Sequence, residues 1–309
     1  MLVHSIDSAF NIRNPVVTIG TFDGVHLGHR AVISHLKNRT EELNGESVVI
    51  TFFPHPRRII SGYSQPFSLL TTYEEKRGLL EKSGIDHLLI LDFDKELSMM
   101  EACDFVEKVL VKKIGAKHLV IGFNHHFGRK GAGDYETIKQ CTGKFRLTVD
   151  MVNPIGSGSG TISSSAIRDR LLDGRIEDAN RMLGYDYFIS GKVIEGKKLG
   201  REIGFPTANI FPGDPEKLVP GNGVYAVEIL LGMEKHKGVM SIGKNPTVNR
   251  DASVRTIEAN IFNFENNIYG ENITVILRFR LRDEMVFGSL TELSAQIESD
   301  KKKAISLMR

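Results

Sequence analysis

Apolar residues recur in two different rhythms along the 309-residue chain. In the first half, short β-branched or aliphatic runs at 16–19, 48–53, 88–93, 118–122 and 147–152 alternate with stretches of helical period near 28–43, 73–83, 101–113 and 134–142. The first helical stretch puts His29, Val32, Ile33, Leu36 and Leu43 on a repeating face and stops at Asn44-Gly45. The second opens on a capping box, Thr71 with Glu74 or Thr72 with Glu75. Alternating β and α units of this length predict a parallel, doubly wound sheet. Such sheets bind ligands at the carboxyl ends of their strands. A Gly-Ser loop at 156–160, a helix start at Ser163 and two short helical stretches ending near Gly184 follow.

After Tyr185 the rhythm changes. Runs at 187–193, 223–231, 237–242, 256–264 and 273–281 read as strands, separated by Gly, Asn, Pro and Asp rather than by helices. That predicts an antiparallel sheet or small barrel. A last helix opens on the box Ser289…Glu292 and carries Leu290, Leu293 and Ile297 on one face. The expected domains are therefore 1–184, α/β, and 185–309, a β-barrel with a C-terminal helix.

Composition adds bounds. Hydrophobic content of 41%, charged content of 25% and a net charge of +2 are ordinary for a soluble globular chain, so no nucleic-acid partner is expected. The short cluster at Lys301–Lys303 reads as a solvated helix face. Cys103 and Cys141 stand alone, with neither metal nor redox spacing, so free thiols in a reducing cytoplasm are expected. No run is apolar enough to span a membrane, and the first residues lack a signal-peptide pattern, so no membrane partner is expected. A homo-oligomer is neither required nor excluded.

Two stretches carry chemistry. Gly20-Thr-Phe-Asp-Gly-Val-His-Leu-Gly-His29 follows the strand at 16–19 and enters a helix. Glycines let a backbone approach a phosphate, a helix N-terminus offers free N–H groups, and imidazoles can donate to charge that develops in a transition state. Alone, a His-x-x-His pair also reads as a cap and an ordinary helix residue. No P-loop occurs in the chain. The second stretch is Gly196-Lys-Lys-Leu-Gly200-Arg201-Glu-Ile-Gly-Phe-Pro-Thr207-Ala-Asn209. Thr207 and Asn209 are two apart, so on a strand they share a face, and their oxygens suit a hard cation such as Mg²⁺.

The first stretch resembles the His-x-Gly-His signature of the α/β nucleotidylyltransferases. Its wording is similar to that of the adenylyltransferase half of bacterial bifunctional riboflavin kinase/FAD synthetases. Thr51-Phe-Phe-Pro-His-Pro56, Gly122-Phe-Asn-His-His-Phe-Gly128 and Ser163-Ser-Ser-Ala-Ile-Arg168 resemble further motifs of that half. The second stretch, with Thr256-Ile-Glu-Ala-Asn-Ile-Phe-Asn-Phe264, resembles the riboflavin kinase half. The resemblance implies ATP as co-substrate, Mg²⁺, and riboflavin, FMN and FAD as substrates and products. It places Gly20, Phe22, Asp23, Gly24, His26, His29, Asn124, Ser164 and Arg168 at the phosphates of ATP in the first half, with His26, His29 and Arg168 catalytic. It places Pro54, His55, Pro56, Asn124, His125 and Phe127 at the flavin. In the second half it places Gly196, Gly200, Arg201, Thr207 and Asn209 at ATP, with Thr207 and Asn209 on the metal and Glu258 as catalytic base. The chain departs from the pattern at His125, where Phe is usual, and at Asn260 and Asn263, where His and Asp are usual. A riboflavin kinase with a silent or regulatory first domain is the alternative reading.

Overall fold

A computed structural model describes residues 1–61, 67–124, 127–131, 133–157, 160–196, 204–244 and 255–308. The chain divides into two compact units, Met1–Ser163 and Ser164–Arg309.

In the first unit β1 (Leu2–Ser5), β2 (Pro15–Ile19), β3 (Glu46–Phe53), β4 (His87–Asp92), β5 (His118–Gly122) and β6 (Thr148–Val152) form one sheet in the order β1-β4-β3-β2-β5-β6. All its pairings are parallel. The other five strands fall where periodicity puts them. β1 escapes notice because it is a four-residue edge strand with three exposed positions. The order reverses at β2, since β3 lies on one side of it and β5 on the other. That reversal is the crevice where open α/β sheets take ligands. Helix α1 (Leu27–Glu42) buries Val32, Ile33 and Leu36 as expected, but Leu43 sits outside it as a C-cap, 40% exposed. Helices α2 (Pro56–Ser61), α3 (Tyr73–Lys82), α4 (Lys95–Met99), α5 (Ala102–Phe105) and α6 (Tyr135–Gly143) complete the layer pattern. From α5 the chain continues as a π-helical stretch, Val106–Ile114. Two short strands, β7 (Gly156–Ser157) and β8 (Gly160–Thr161), pair as a hairpin.

The cysteines correct an expectation. Cys103 on α5 and Cys141 on α6 form a disulfide, with Cα atoms 5.1 Å apart across 38 residues. Spacing along the chain hides this, because packing of α5 and α6 on one core brings the two together. The expectation of a reducing compartment loses that support.

At the other end of the sheet strands, Asp150 gathers three partners. His35 Nε2 lies 2.8 Å and Arg39 Nε 2.5 Å from Asp150 Oδ2, both from α1, and His118 Nε2 of β5 lies 3.2 Å away. Burial alone would raise the Asp150 carboxyl; hydrogen bonds from His35 and Arg39 outweigh it and hold it at about 2. A depressed carboxylate stabilises the fold above its unfolded range, and that contribution is lost as pH falls from about 4 towards 2. Asp150→Asn is expected to cost about 2 kcal/mol near neutral pH, measured by urea unfolding, and to flatten the acid limb of stability against pH.

The second unit begins with α7 (Ser164–Leu172) and α8 (Ile176–Leu183). It continues as β9 (Phe188–Ile194), β10 (Thr207–Pro212), β11 (Gly223–Leu231), β12 (Glu234–Lys244), β13 (Arg255–Ile261) and β14 (Asn272–Arg282), a closed antiparallel barrel ordered β10-β13-β12-β11-β14-β9. The division into compact units falls before α7; α8 packs on the barrel, where Asn180 Nδ2 donates to the Leu277 carbonyl. Burial alternates along β9, β10 and β13, as a barrel wall requires. Helix α9 (Leu290–Leu307) lies on β11, β12 and β14, pinned where Asp300 takes three hydrogen bonds from Arg282.

Candidate functional site

The first candidate site grows from the end of β2. Gly20 donates its N–H to the Ile50 carbonyl, which carries the sheet one residue further. The chain then turns through Phe22 (φ +48°), Gly24 (φ +84°) and Val25 (φ +37°). Positive φ is costly for a bulky or β-branched residue, on the order of 1–3 kcal/mol each, and such strain collects at functional loops. Asp23, 2% exposed, anchors the turn: its Oδ1 accepts from the Thr71 backbone N–H and hydroxyl, while Gly24 N–H donates to the same hydroxyl.

The turn ends on His26, the N-cap of α1, whose Nδ1 accepts from the His29 backbone N–H at 3.3 Å. With Nδ1 used as an acceptor, the neutral tautomer of the ring carries its proton on Nε2. The rings of His26 and His29 stack 3.7 Å apart, 15° from parallel, and Phe22 packs on His29 at 5.1 Å. A Cβ at Gly28 would sit 3.1 Å from His26 Cε1, so the stack leaves little room there. His29 Nδ1 is buried without a hydrogen-bond partner. Burial first, then His26 and Lys76, push the His29 imidazole well below its usual range, so it is neutral at physiological pH.

Three more segments meet the same sheet end. After β3, a cis peptide joins Phe53 to Pro54, and Pro56 opens α2. The His55 ring lies 4.7 Å from Phe67, and the Arg57 and Arg58 guanidinium groups lie 5.5 and 5.6 Å from the same ring. After β5, Asn124 is exposed beside Phe123, which is 54% exposed. Phe127 is different: it packs on Phe105 within the core and is 8% exposed. From the α3 side comes Lys76, buried, with Nζ 3.1 Å from both the Thr21 carbonyl and the Thr51 hydroxyl. Reading the motifs missed Lys76, Phe67 and the two arginines. A signal for Lys76 exists, since it falls three and four residues before Leu79 and Leu80, on the core face of α3. Ser164 opens α7 and Arg168 follows one turn on, both in the second unit. His125 lies outside the described residues.

The second candidate site lies on the barrel wall. The pairing of β10 with β13 sets Asn209 opposite Glu258 and Thr207 opposite Asn260. Ser241 of β12 is opposite Glu258 on its other side. These residues are half-buried on one face, while Ala208, Ile210, Ile257 and Ala259 are buried on the other. The Thr207 hydroxyl donates to Glu258 Oε2 at 3.4 Å, and Asn260 Nδ2 donates to the Pro206 carbonyl at 2.8 Å. Gly196 approaches closely enough that a Cβ would sit 1.9 Å from Asn209 Nδ2, so a side chain there would displace the Asn209 amide. Gly204, just before Phe205-Pro206, has φ +80°. Asn263 takes φ +54°, which Asn tolerates well. Gly200 and Arg201 lie outside the described residues.

A doubly wound sheet with stacked imidazoles at a helix start, and a closed barrel with a carboxylate among hard-oxygen donors, define a nucleotide-using transferase with two separate sites. Comparison with known proteins narrows the class. A FAD synthetase family model matches residues 9–166 and a riboflavin kinase model residues 183–308. The chain is 38% identical to the bifunctional riboflavin kinase/FMN adenylyltransferase of Listeria monocytogenes, over 93% of this chain and 90% of that one. It is 37% identical to the proteins of the same description from Bacillus subtilis, over 94% and 91%, and Escherichia coli K12, over 93% and 90%. A crystal structure described as a macrolide-efflux protein from Streptococcus pneumoniae superposes with TM-score 0.89 at 31% identity, covering 98% of both chains. No helix among the described residues here is long and apolar enough to cross a membrane. The chain belongs to the bifunctional riboflavin kinase/FMN adenylyltransferase family.

Proposed function

We propose that this chain makes FMN from riboflavin and FAD from FMN, each step consuming ATP. The observation that carries the reading is that both halves keep a working set of donors and acceptors: the His26–His29 stack capping α1, and Glu258 bonded to Thr207 opposite Asn209. We assign the adenylyl transfer to 1–184 and the kinase to 185–309.

In the kinase half the ribityl hydroxyl of riboflavin is a poor nucleophile until a base accepts its proton. Glu258 takes that proton as the oxygen attacks the γ-phosphorus of ATP, whose bond to the bridging oxygen breaks and releases ADP. Thr207 and Asn209 offer hard oxygen donors on one face, which suits Mg²⁺ shared with nucleotide phosphates. Bound there, the ion would neutralise charge on the transferring phosphoryl group. Gly196, Gly200 and Arg201 line the nucleotide path in this reading.

In the adenylyl half the FMN phosphate is already an anion and needs no base. One of its oxygens attacks the α-phosphorus of ATP, and pyrophosphate leaves. Catalysis is then positioning and stabilisation of developing charge. His26 donates from Nε2 and His29 from a neutral ring to the α- and β-phosphate oxygens. Gly20, Phe22, Asp23 and Gly24 shape the turn that lets the phosphates approach. Arg168 and Ser164 hold the leaving pyrophosphate. Pro54, His55, Pro56 and Asn124 face the flavin. Phe127 meets it with an edge only, given its burial. We place the enzyme in the cytoplasm.

The test is to incubate the protein with riboflavin, ATP and Mg²⁺ and separate the flavins over time. FMN first and FAD afterwards is the expected result. FMN alone, even with FMN added in excess, would leave a riboflavin kinase with a silent first half. No change in riboflavin, together with no FAD from supplied FMN, would overturn both assignments.

A further inference from the structure

Cys103 and Cys141 are the only cysteines of the chain, and a disulfide joins them across 38 residues. In the cytoplasm assigned above, glutathione and thioredoxin-type reductants keep thiols reduced, and the bridges found there are mostly transient and redox-sensing. The two ends of this bridge are unlike. Cys103 is exposed on α5, whereas Cys141 is 1% exposed in the core that α5 and α6 share. A thiolate from solution therefore meets one of the two residues at the surface. The bridge also closes around the loop that follows β5. From Asn124 the chain reaches Phe127, whose backbone pairs in both directions with Gly133, and it enters α6 at its N-cap, Asp134. This loop presses on the start of α5, next to Cys103. A Cβ on Gly128 would sit 2.8 Å from the Ala102 nitrogen, and one on Gly133 would sit 2.8 Å from the Ala102 Cβ. The Arg129 N–H donates to the Met100 carbonyl at 2.8 Å, and the Phe127 ring packs on Phe105 at 5.2 Å. The loop thus rests on α5 and ends in α6, and the bridge ties those two helices together.

We infer that the Cys103–Cys141 bridge is a reversible thiol–disulfide site that gates adenylyl transfer: closed, it holds the loop carrying Asn124 against α5 and α6; opened by a dithiol, it lets that loop slacken and weakens FMN binding. The inference rests on the proposed adenylyl transfer and on its cytoplasmic setting. Opening is thiol–disulfide exchange. A thiolate of the dithiol attacks the Cys103 sulfur, the S–S bond breaks, and Cys141 leaves as a thiolate that takes up a proton. The second thiol of the reductant loses its proton and attacks the mixed disulfide, which releases Cys103 as a thiol. The protein gains two electrons and two protons, and the dithiol becomes a disulfide. Ala102, Phe105, Phe127 and Ile138 share one core with or without the bridge, so the opened chain stays folded and only the seat of the loop changes. The proposed kinase site lies in the other compact unit, which has no cysteine.

The test uses the full-length chain, oxidised in air or reduced with dithiothreitol, with thiols counted by alkylation and mass. Two thiols are expected to appear on reduction and to vanish on reoxidation while the chain stays folded. Reduction is expected to raise KM for FMN in FAD formation by about five- to a hundredfold, the usual span of coupling between two sites. Riboflavin phosphorylation by the same molecules should stay within roughly twofold. Cys103→Ser should match the reduced chain in either buffer and lose the response. A merely stabilising bridge would lower the melting temperature on reduction and leave KM for FMN unmoved. A KM for FMN that agrees within about twofold between the two states, a bridge that opens only when the chain unfolds, or two free thiols in the air-oxidised chain would overturn the inference. Absence of FAD formation in both states would sink the adenylyl reading instead. Hydrogen exchange would then still judge the bridge, because amides around Phe127 and Gly133 should exchange about tenfold faster on reduction. An unchanged exchange rate there would overturn the clamp.

Discussion

Glu258→Gln is expected to lower FMN formation from riboflavin by about 10²–10⁴-fold, the usual worth of a general base. The substitution is nearly isosteric. A glutamine oxygen can still accept from the Thr207 hydroxyl, which now lies 3.4 Å from the carboxylate, so the pairing of β10 with β13 should survive. What disappears is the ability to take a proton from the ribityl hydroxyl. The signature is a fall in kcat with little change in KM for ATP, because the loss belongs to the transition state. AMP transfer to supplied FMN should continue at the wild-type rate, since His26 and His29 belong to the other compact unit. Coupled assays of the two steps separate these outcomes. A kinase rate within tenfold of wild type would remove Glu258 from the mechanism and leave it as a strand residue bonded to a threonine.

His29→Ala should produce the mirror image, a loss of about 10²–10³-fold in FAD formation, the scale for one donor that meets developing charge. Riboflavin phosphorylation should be untouched. The stack explains the size of the effect, because removing one ring also frees His26, which packs against it at 3.7 Å. The backbone N–H of residue 29 remains, so the cap on α1 is kept and the helix should not unravel. Since burial, His26 and Lys76 hold His29 neutral, its titration should not appear in the wild-type rate profile between about pH 6 and 8. A wild-type limb in that window that vanishes in His29→Ala would contradict the assigned protonation state. Loss of both activities in either variant, with the protein folded, would break the two-site assignment itself.

Much of this architecture was legible residue by residue. Strand runs such as 48–53 and 118–122 are mostly apolar, as strands covered on both faces must be, and they alternate with helices whose buried positions repeat every three to four residues. The Thr72–Glu75 capping box forms with both hydrogen bonds, because it depends on four consecutive residues and nothing else. Strand β10 went unread as an apolar run, since Thr207-Ala-Asn209 is half polar, yet the same-face relation of Thr207 and Asn209 follows from a period of two. Helices α7 and α8 follow the α/β pattern in sequence, and the packing of α8 on β14 is visible only in the folded chain.

The sequence by itself determined the two fold classes, the order of the elements and the two motif sets, because hydrophobic period, caps and turns are properties of short stretches. Tertiary structure alone decided which distant residues share a space. It joined Cys103 to Cys141, set Asn209 opposite Glu258, took Phe127 into the core and brought Lys76 to Thr21 and Thr51. Each of these depends on sheet register or helix packing across tens of residues, and burial and charge act through space rather than along the chain.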